Sequence, residues 1–585
     1  MRHLKYLNKF FWKYKKLLIA GIFFITIGNF FALYPAEFVR EAFDTIILAL
    51  RDRKENFNIS TVLLKYGVLI MLFAILKGVF MYFMRQTIIV MSRKIEFDLK
   101  NEIYTQYQNL SISFYKKNKT GDLMNRISED VTRVRMYLGP ALMYTINIIT
   151  LFYLVLNRMF SINTTLTFYV LIPLPILALA VYFVSNKINY RSERVQEQLS
   201  ELTTISQETY SGIKITKSFN NEKNALQTFI AACKEYTRKQ LYLVKIEAFF
   251  FPLIITLVGA STILTVYIGG IESFKGNITT GNIAEFIIYV NMLAWPVASI
   301  GWITSLVQRS SASQERINNF LFLKPDIKNH TNTNTPIIGD INFKNVQLIY
   351  NNNNIKALDN ISFTIKEGET LGIFGKTGSG KSTIANLICR LYNTTKGEIT
   401  FGEINIKKLN LNNLRLAIGY IPQDGYLFSG TIKENIAFST NNIDKKRILK
   451  AAKKAEILEE INCFSNGLDT IIGERGVQLS GGQRQRLAIA RTFYKNPDIF
   501  IFDDCLSAVD ANKERKILKN LMKESKQKTS IIISHRINSL KKADNIIVID
   551  KGKIIEKGTH EKLLEKKGFY FTIHNSQSNT TKNSI

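Results

Sequence analysis

Nine consecutive residues bring glycines, a lysine and hydroxyls into one order: Gly375-Lys376-Thr377-Gly378-Ser379-Gly380-Lys381-Ser382-Thr383 fits G-x-x-x-x-G-K-[ST]. Glycines let backbone N–H groups wrap closely around phosphate oxygens, and a helix start adds the positive end of its dipole. Lys381 can then reach the β- and γ-phosphates of a nucleoside triphosphate, and the Ser382 hydroxyl can ligate Mg2+. This chemistry needs a strand before the turn and a helix after it. Thr370–Phe374 is a short apolar strand, and Ile384–Cys389 reads as an opening helix. A chance glycine-rich turn would lack both, so the stretch is a nucleotide site.

Further residues suit the same reaction. Ile499-Phe500-Ile501-Phe502-Asp503 is an apolar strand ending in an acid, and Asp503 can hold Mg2+ as a hard cation beside phosphates requires. Gln423, in Tyr420-Ile421-Pro422-Gln423, can touch both Mg2+ and the γ-phosphate; only this context lifts it above an ordinary surface glutamine. His535 ends the strand Ile531–Ser534 and can grip the γ-phosphate or the attacking water. Tyr350 closes an upstream strand and can stack on adenine; without the loop it would read as a half-exposed strand tyrosine. Leu479-Ser480-Gly481-Gly482-Gln483 precedes the helical pattern Arg484–Tyr494, with Ser480 as N-cap and glycines that again let N–H groups approach a phosphate. The phosphate loop already serves this chain's nucleotide. Ser480, Gly481, Gly482 and Gln483 are therefore expected to serve another chain's, which implies a dimer with two ATP molecules at its interface.

The elements that must position these groups divide the chain. A length of 585 residues exceeds one core. The mean hydropathy near zero hides an apolar first half and a mixed, charged second half. Six stretches reach the roughly 20 residues that cross a bilayer, near 17–38, 61–84, 139–160, 164–186, 246–270 and 283–307. Their connections alternate. Segments 86–138 and 187–245 are long and helix-patterned, the links near 158–163 and 271–282 are short, and the link near 39–60 mixes Arg40, Arg51, Arg53 and Lys54 with Glu41, Asp44, Asp52 and Glu55. Long basic connections on the side of the basic N-terminus place both termini in the cytoplasm. A net charge of +30 raises a nucleic-acid partner, but the basic residues flank apolar spans, so none is expected.

Residues 1–16 interleave lysines with Leu4, Phe10, Phe11 and Trp12, as an interfacial helix with Trp12 at headgroup level. Lys77 is read as the exception in otherwise uncharged spans, either functional or snorkelling towards Arg85. Asn29, Asn147 and Asn291 can bridge helices or face a cavity, Phe30, Tyr144, Tyr289 and Trp295 can line an apolar pocket, and Pro296 is expected to kink the sixth span. So little fixed charge favours a hydrophobic or amphipathic cargo over an inorganic ion. The fold expected is an α-helical six-span membrane domain (17–323), a polar linker (324–338) and an α/β P-loop nucleotide-binding domain (339–572). Residues 573–585 are polar and expected to be a disordered tail. Four cysteines without C-x-x-C spacing argue against disulfides and structural zinc.

In this order, GKTGSGKST (375–383), Gln423, LSGGQ (479–483), FDD (502–504), SAVD (507–510) and His535 resemble the ATP-binding cassette (ABC) family, and the six preceding spans resemble its exporter-type half-transporters. Thr120-Gly121-Asp122-Leu123 with Arg126, Gly212-Ile213-Lys214 and Gly473-Glu474-Arg475-Gly476 echo segments where family members dock membrane helices on the ATPase. The resemblance implies ATP and Mg2+ as cofactors. It also implies a bacterial inner-membrane dimer whose inward-facing cavity closes on ATP binding and resets on hydrolysis, exporting or flipping a lipid, drug or peptide. The long connections would contact the partner's cassette.

One residue departs from the family pattern. Asp504 stands where the family usually places the glutamate that acts as base or positions water, which retracts the carboxylate by about 1.5 Å. Members with Asp here look like the weaker half of heterodimers, so a heterodimer is favoured over a slowly hydrolysing homodimer. The alternative function is an ATP-gated channel or a regulatory half.

Overall fold

The computed structural model describes residues 2–52, 58–329, 331, 336–350, 354–440, 442–473, 476, 478–506, 509–524 and 528–582. Arg53, Lys54, Glu55, Glu474, Arg475, Ser507, Ala508 and parts of the linker and of the C-terminal tail, singled out above, lie outside these residues. Two compact units form: Met1–Gln108 with Gly121–Leu323, and Asn109–Thr120 with Lys324–Ile585. The membrane domain expected as 17–323 thus lends residues 109–120 to the second unit.

Within the first unit, six helices among the described residues are long and apolar enough to cross a membrane: α1 (Lys15–Arg51), α2 (Ile59–Asn109), α3 (Thr120–Ile162), α4 (Thr164–Ser211), α5 (Glu222–Phe274) and α6 (Thr280–Leu321). Each contains one expected span. At 1.5 Å per residue the 51 residues of α2 extend about 77 Å, far beyond the roughly 30 Å of a bilayer core. The polar connections are therefore continuations of the spanning helices, and α6 runs on through Pro296.

The spans hold more charge than the sequence reading allowed. Glu37, Arg158 and Glu285 each lie inside an expected span, and the structure pairs them: Arg158 Nη2 to Glu37 Oε2 at 2.7 Å, and Arg40 Nη1 to the buried Glu285 at 3.3 Å. Tyr289, expected at a pocket, is itself buried and donates its hydroxyl to Glu285 at 2.7 Å. Glu37 has Arg40 one turn on along its own helix, at 3.6 Å, whereas Arg158 and Glu285 look isolated along theirs. Pairing across helices far apart in sequence offsets the burial, and only the tertiary structure supplies it. Lys77 is exposed. Asn29 bridges helices, donating to Thr150 Oγ1 at 2.6 Å and to the Asn147 carbonyl at 3.2 Å.

The N-terminus is a 3-10 turn (Arg2–Leu7) and a short helix (Asn8–Lys13) that bury Leu4, Leu7 and Phe10, while Trp12 is 73% exposed. Two of its lysines face acids of α2: Lys9 lies 2.7 Å from Glu102 and Lys13 2.6 Å from Asp98.

The second unit carries twelve strands among the described residues. Strands β1 (Ile341–Tyr350), β2 (Ile355–Ile365), β4 (Lys396–Phe401) and β5 (Ile404–Asn405) form an antiparallel sheet in the order β2-β1-β4-β5. A six-stranded sheet runs β12-β11-β3-β10-β9-β6, from β3 (Thr370–Gly375), β6 (Ile418–Ile421), β9 (Ile499–Asp503), β10 (Thr529–Ser534), β11 (Asn545–Asp550) and β12 (Lys553–Gly558). Strands β7 (Gly430–Thr431) and β8 (Ile471–Ile472) pair separately. In the larger sheet only β12 is antiparallel. Strands β3, β9 and β10 are buried on both faces, which explains their unbroken apolar runs. Because they are parallel neighbours, their C-terminal ends lie side by side, where open α/β sheets bind ligands.

Part of the expected tail is helical. Helix α10 (Phe569–Lys582) continues through residues 573–582. Polar composition suggested disorder, but Tyr570 is buried against Phe374, ring centroids 5.4 Å apart, which anchors the helix start.

Candidate functional site

The phosphate loop joins β3 to helix α7 (Lys381–Ile388). Gly380 precedes α7 at φ +104°, and a Cβ there would meet the Ala357 carbonyl oxygen at 2.5 Å; at Gly375 it would meet that of Ile549 at 2.2 Å. Both positions require glycine. Lys381 Nζ donates to the carbonyls of Gly375 at 2.8 Å and Lys376 at 2.7 Å, folding its ammonium over the loop. Burial pulls its pKa below the usual lysine range, opposed by Asp504 and Asp503. Among the described residues, the buried Ser379 hydroxyl has no hydrogen-bond partner. A loop with a desolvated ammonium and an orphaned hydroxyl fits a phosphate.

Ser382 Oγ donates to Asp503 Oδ1 at 2.8 Å, so the two groups expected at Mg2+ converge from α7 and β9. Tyr420 donates its hydroxyl to Asp503 Oδ2 at 3.1 Å. Burial raises the Asp503 pKa above the usual carboxylate range, while the Ser382 and Tyr420 bonds pull it down. A carboxylate so placed suits a hard cation, whose charge would offset the desolvation.

A cavity of about 570 Å³ gathers Gly375, Lys376, Thr377, Gln423, Asp504 and His535. His535 Nδ1 lies 2.8 Å from Asp504 Oδ2 and 2.9 Å from Oδ1. Asp504 adopts φ +46°, and its N–H donates to the Ile533 carbonyl at 2.9 Å, which ties the end of β9 to β10. Thr383 contacts the Tyr350 hydroxyl at 3.1 Å, and the Tyr350 ring meets Tyr392 edge-on at 5.1 Å with Lys116 Nζ 5.3 Å from its centroid.

Ser480, Gly481, Gly482 and Gln483 open helix α8 (Gly481–Lys495) and do not line this cavity. A reciprocal capping box shapes that helix start: Gln483 N–H donates to Ser480 Oγ at 3.2 Å and Ser480 N–H to Gln483 Oε1 at 2.9 Å. Sequence reasoning missed Tyr420, Lys116 and the contribution of α10. Tyr420 stands three residues before Gln423, but its approach to Asp503 requires β6 and β9 to be neighbours, which no local pattern shows. The other two are separated from the site by long stretches of chain and carry no local signal.

These elements define a P-loop nucleotide-binding domain built into the same chain as a six-span membrane domain. The chain belongs to the ABC transporter family. Its residues 18–297 match the ABC transporter transmembrane region and residues 358–507 match the ABC transporter family. It is 34% identical to the probable multidrug resistance ABC transporter ATP-binding/permease protein YheI of Bacillus subtilis, over 97% of this chain and 96% of that protein. It is also 32% identical to the ATP-dependent lipid A-core flippase of Haemophilus ducreyi, over 87% of this chain and 88% of that protein. Its fold is similar to a bacterial Atm1-family ABC exporter with ATP bound, at TM-score 0.79 and 22% identity, covering 96% of this chain and 98% of that one. The chain is an integral membrane protein that binds ATP and couples its hydrolysis to transport.

Proposed function

We propose that the chain is one half of a dimeric exporter that uses ATP to carry or flip a hydrophobic or amphipathic substrate across a bacterial inner membrane, with both termini cytoplasmic. The observation that carries this reading is a cavity of about 900 Å³ within the membrane domain, walled by Tyr144, Phe250, Trp295 and Trp302, with Asn291 and Arg309 as polar points. Such walls suit an amphiphile rather than a hydrated ion. The names of the relatives, a lipid A-core flippase and a multidrug resistance protein, point the same way. Purified protein in vesicles should accumulate a fluorescent amphiphile against its gradient with Mg-ATP. ATP-gated downhill flux alone would favour the channel instead.

In this reading the loop 375–383 cradles the triphosphate, Tyr350 stacks on adenine, and Ser382, Asp503 and Gln423 hold Mg2+. That ion, when bound, neutralises charge on the β- and γ-phosphates. Asp504 and His535, already bonded to each other, orient the attacking water and the γ-phosphate. Ser480, Gly481, Gly482 and Gln483 close on the partner's nucleotide. Lys381→Ala should abolish tight binding of a fluorescent ATP analogue; retained affinity contradicts the cradle. The short acid at 504 supports a heterodimer, checked by co-purification from native membranes, where recovery of copies of this chain alone would overturn it.

A further inference from the structure

Helix α10 turns one face towards the nucleotide cavity. Phe569, Ile573 and Gln577 recur every four residues, the spacing that aligns side chains on one side of a helix. Phe569 and Ile573 line the cavity beside Lys376, Gln423, Asp504 and His535, and Lys376 Nζ sits 5.4 Å from the Phe569 ring centroid. Gln577 continues that face. Its Nε2 donates to the His535 carbonyl at 2.8 Å, and its Oε1 accepts from the Ile537 N–H at 3.1 Å. One amide thus brackets the backbone that follows His535.

The helix is held firmly enough to act as a support. The Glu556 carboxylate of β12 accepts from the N–H groups of Phe569 at 2.5 Å and Tyr570 at 3.2 Å, satisfying two donors of the first turn. The Tyr570 hydroxyl lies 2.9 Å from His560 Nδ1. The other flank of the same segment rests on helix α9 (Ala511–Glu524). There Glu514 accepts from Arg536 Nη1 at 2.8 Å and from Ser539 Oγ at 2.7 Å. Residues 535–539 are therefore gripped from two sides, while the His535 ring stays 45% exposed and bonded to Asp504.

The geometry points to Gln577 as a positioning residue for ATP hydrolysis: through its two backbone bonds it sets where the His535 imidazole stands. This rests on the reading of His535 as the group that meets the γ-phosphate or water. Without the amide, the His535 and Ile537 backbone groups turn to water and the segment loosens on the α10 side, with Glu514 still in place. Misplacement by about 1 Å can cost on the order of a hundredfold in rate, so partial release should lower kcat about tenfold. ATP binding, carried by the phosphate loop and Tyr350, should not change.

The test measures ATP hydrolysis in single turnover, counted per copy of this chain and followed over a range of ATP concentrations so that kcat and KM refer to its own site, on the full chain with any co-purified partner in lipid nanodiscs. Gln577→Leu keeps the bulk and removes both bonds; a second variant ends the chain after Ser576. Both should lower kcat about tenfold with KM for ATP within about twofold of the parent. His535→Ala is run alongside. If it leaves kcat unchanged, the reading of His535 fails and takes this proposal with it. If His535→Ala is slow but both Gln577 variants keep kcat within twofold, the support role alone is overturned. A rise in KM with kcat unchanged overturns it equally, because that pattern reports weakened nucleotide binding.

Discussion

Asp504→Glu is the substitution that bears most directly on how this chain divides labour with a partner. Asp504 occupies left-handed backbone at φ +46°, with its carboxylate 2.8 Å from His535 Nδ1. One added methylene advances the carboxylate by about 1.5 Å. If the short reach limits hydrolysis, restoring it should raise the rate about a hundredfold, a barrier lowered by about 2.7 kcal/mol. The opposing effect is conformational. Left-handed backbone suits aspartate better than glutamate, and the exchange should cost up to about 1 kcal/mol of stability. The rate gain exceeds that cost, so the variant should turn over faster in a slightly less stable fold, with Tm lower by about 2–4 °C. A partner's site can dominate steady-state turnover. Hydrolysis of prebound nucleotide, counted per chain in a single turnover, is therefore the assay. A single-turnover rate within threefold of the parent, at unchanged nucleotide affinity, would refute the reach argument and remove the ground for a heterodimer.

Gly380→Ala places a Cβ 2.5 Å from a carbonyl oxygen in backbone at φ +104°, so it should destabilise the cassette by about 2 kcal/mol and lose ATP binding, seen together in thermal unfolding and nucleotide titration. Tyr420→Phe deletes a bond that holds down the pKa of a carboxyl already raised by burial, so Asp503 takes a proton at higher pH. The acid limb of the kcat/KM profile, which reports the free enzyme, should move to higher pH, and an unmoved limb would show that Asp503 does not set it. Glu285→Ala leaves Arg40 with Glu37 and Glu41 but takes away the acceptor of the buried Tyr289 hydroxyl, and should lower stability by about 2 kcal/mol. Adding Tyr289→Phe should recover most of that loss, and a double variant no more stable than the single one would mean the pair is not coupled.

What could be read from the sequence is what physics makes contiguous. The phosphate loop, the apolar strand ending at Asp503 and the Ser480 cap each need a few adjacent residues, because backbone N–H groups, helix dipoles and strand burial are local properties. The spans are legible for the same reason, since a bilayer imposes an unbroken apolar run. Asp503 and Ser382 could be assigned to one ion, but their 2.8 Å approach arises only because β3 and β9 both flank β10 in a parallel sheet.

Tertiary structure alone decided the rest. Arg158 and Glu285 looked like single interruptions of apolar helices, and they are tolerated because Glu37 and Arg40 of another helix neutralise them. Gln577 sat in a stretch whose composition predicted disorder. It became part of a helix because Tyr570 and Glu556 hold the first turn, and it reached His535 because α10 returns across the ends of the parallel strands. Composition measures what a segment can bury by itself; it does not register a site already folded that offers the segment a partner.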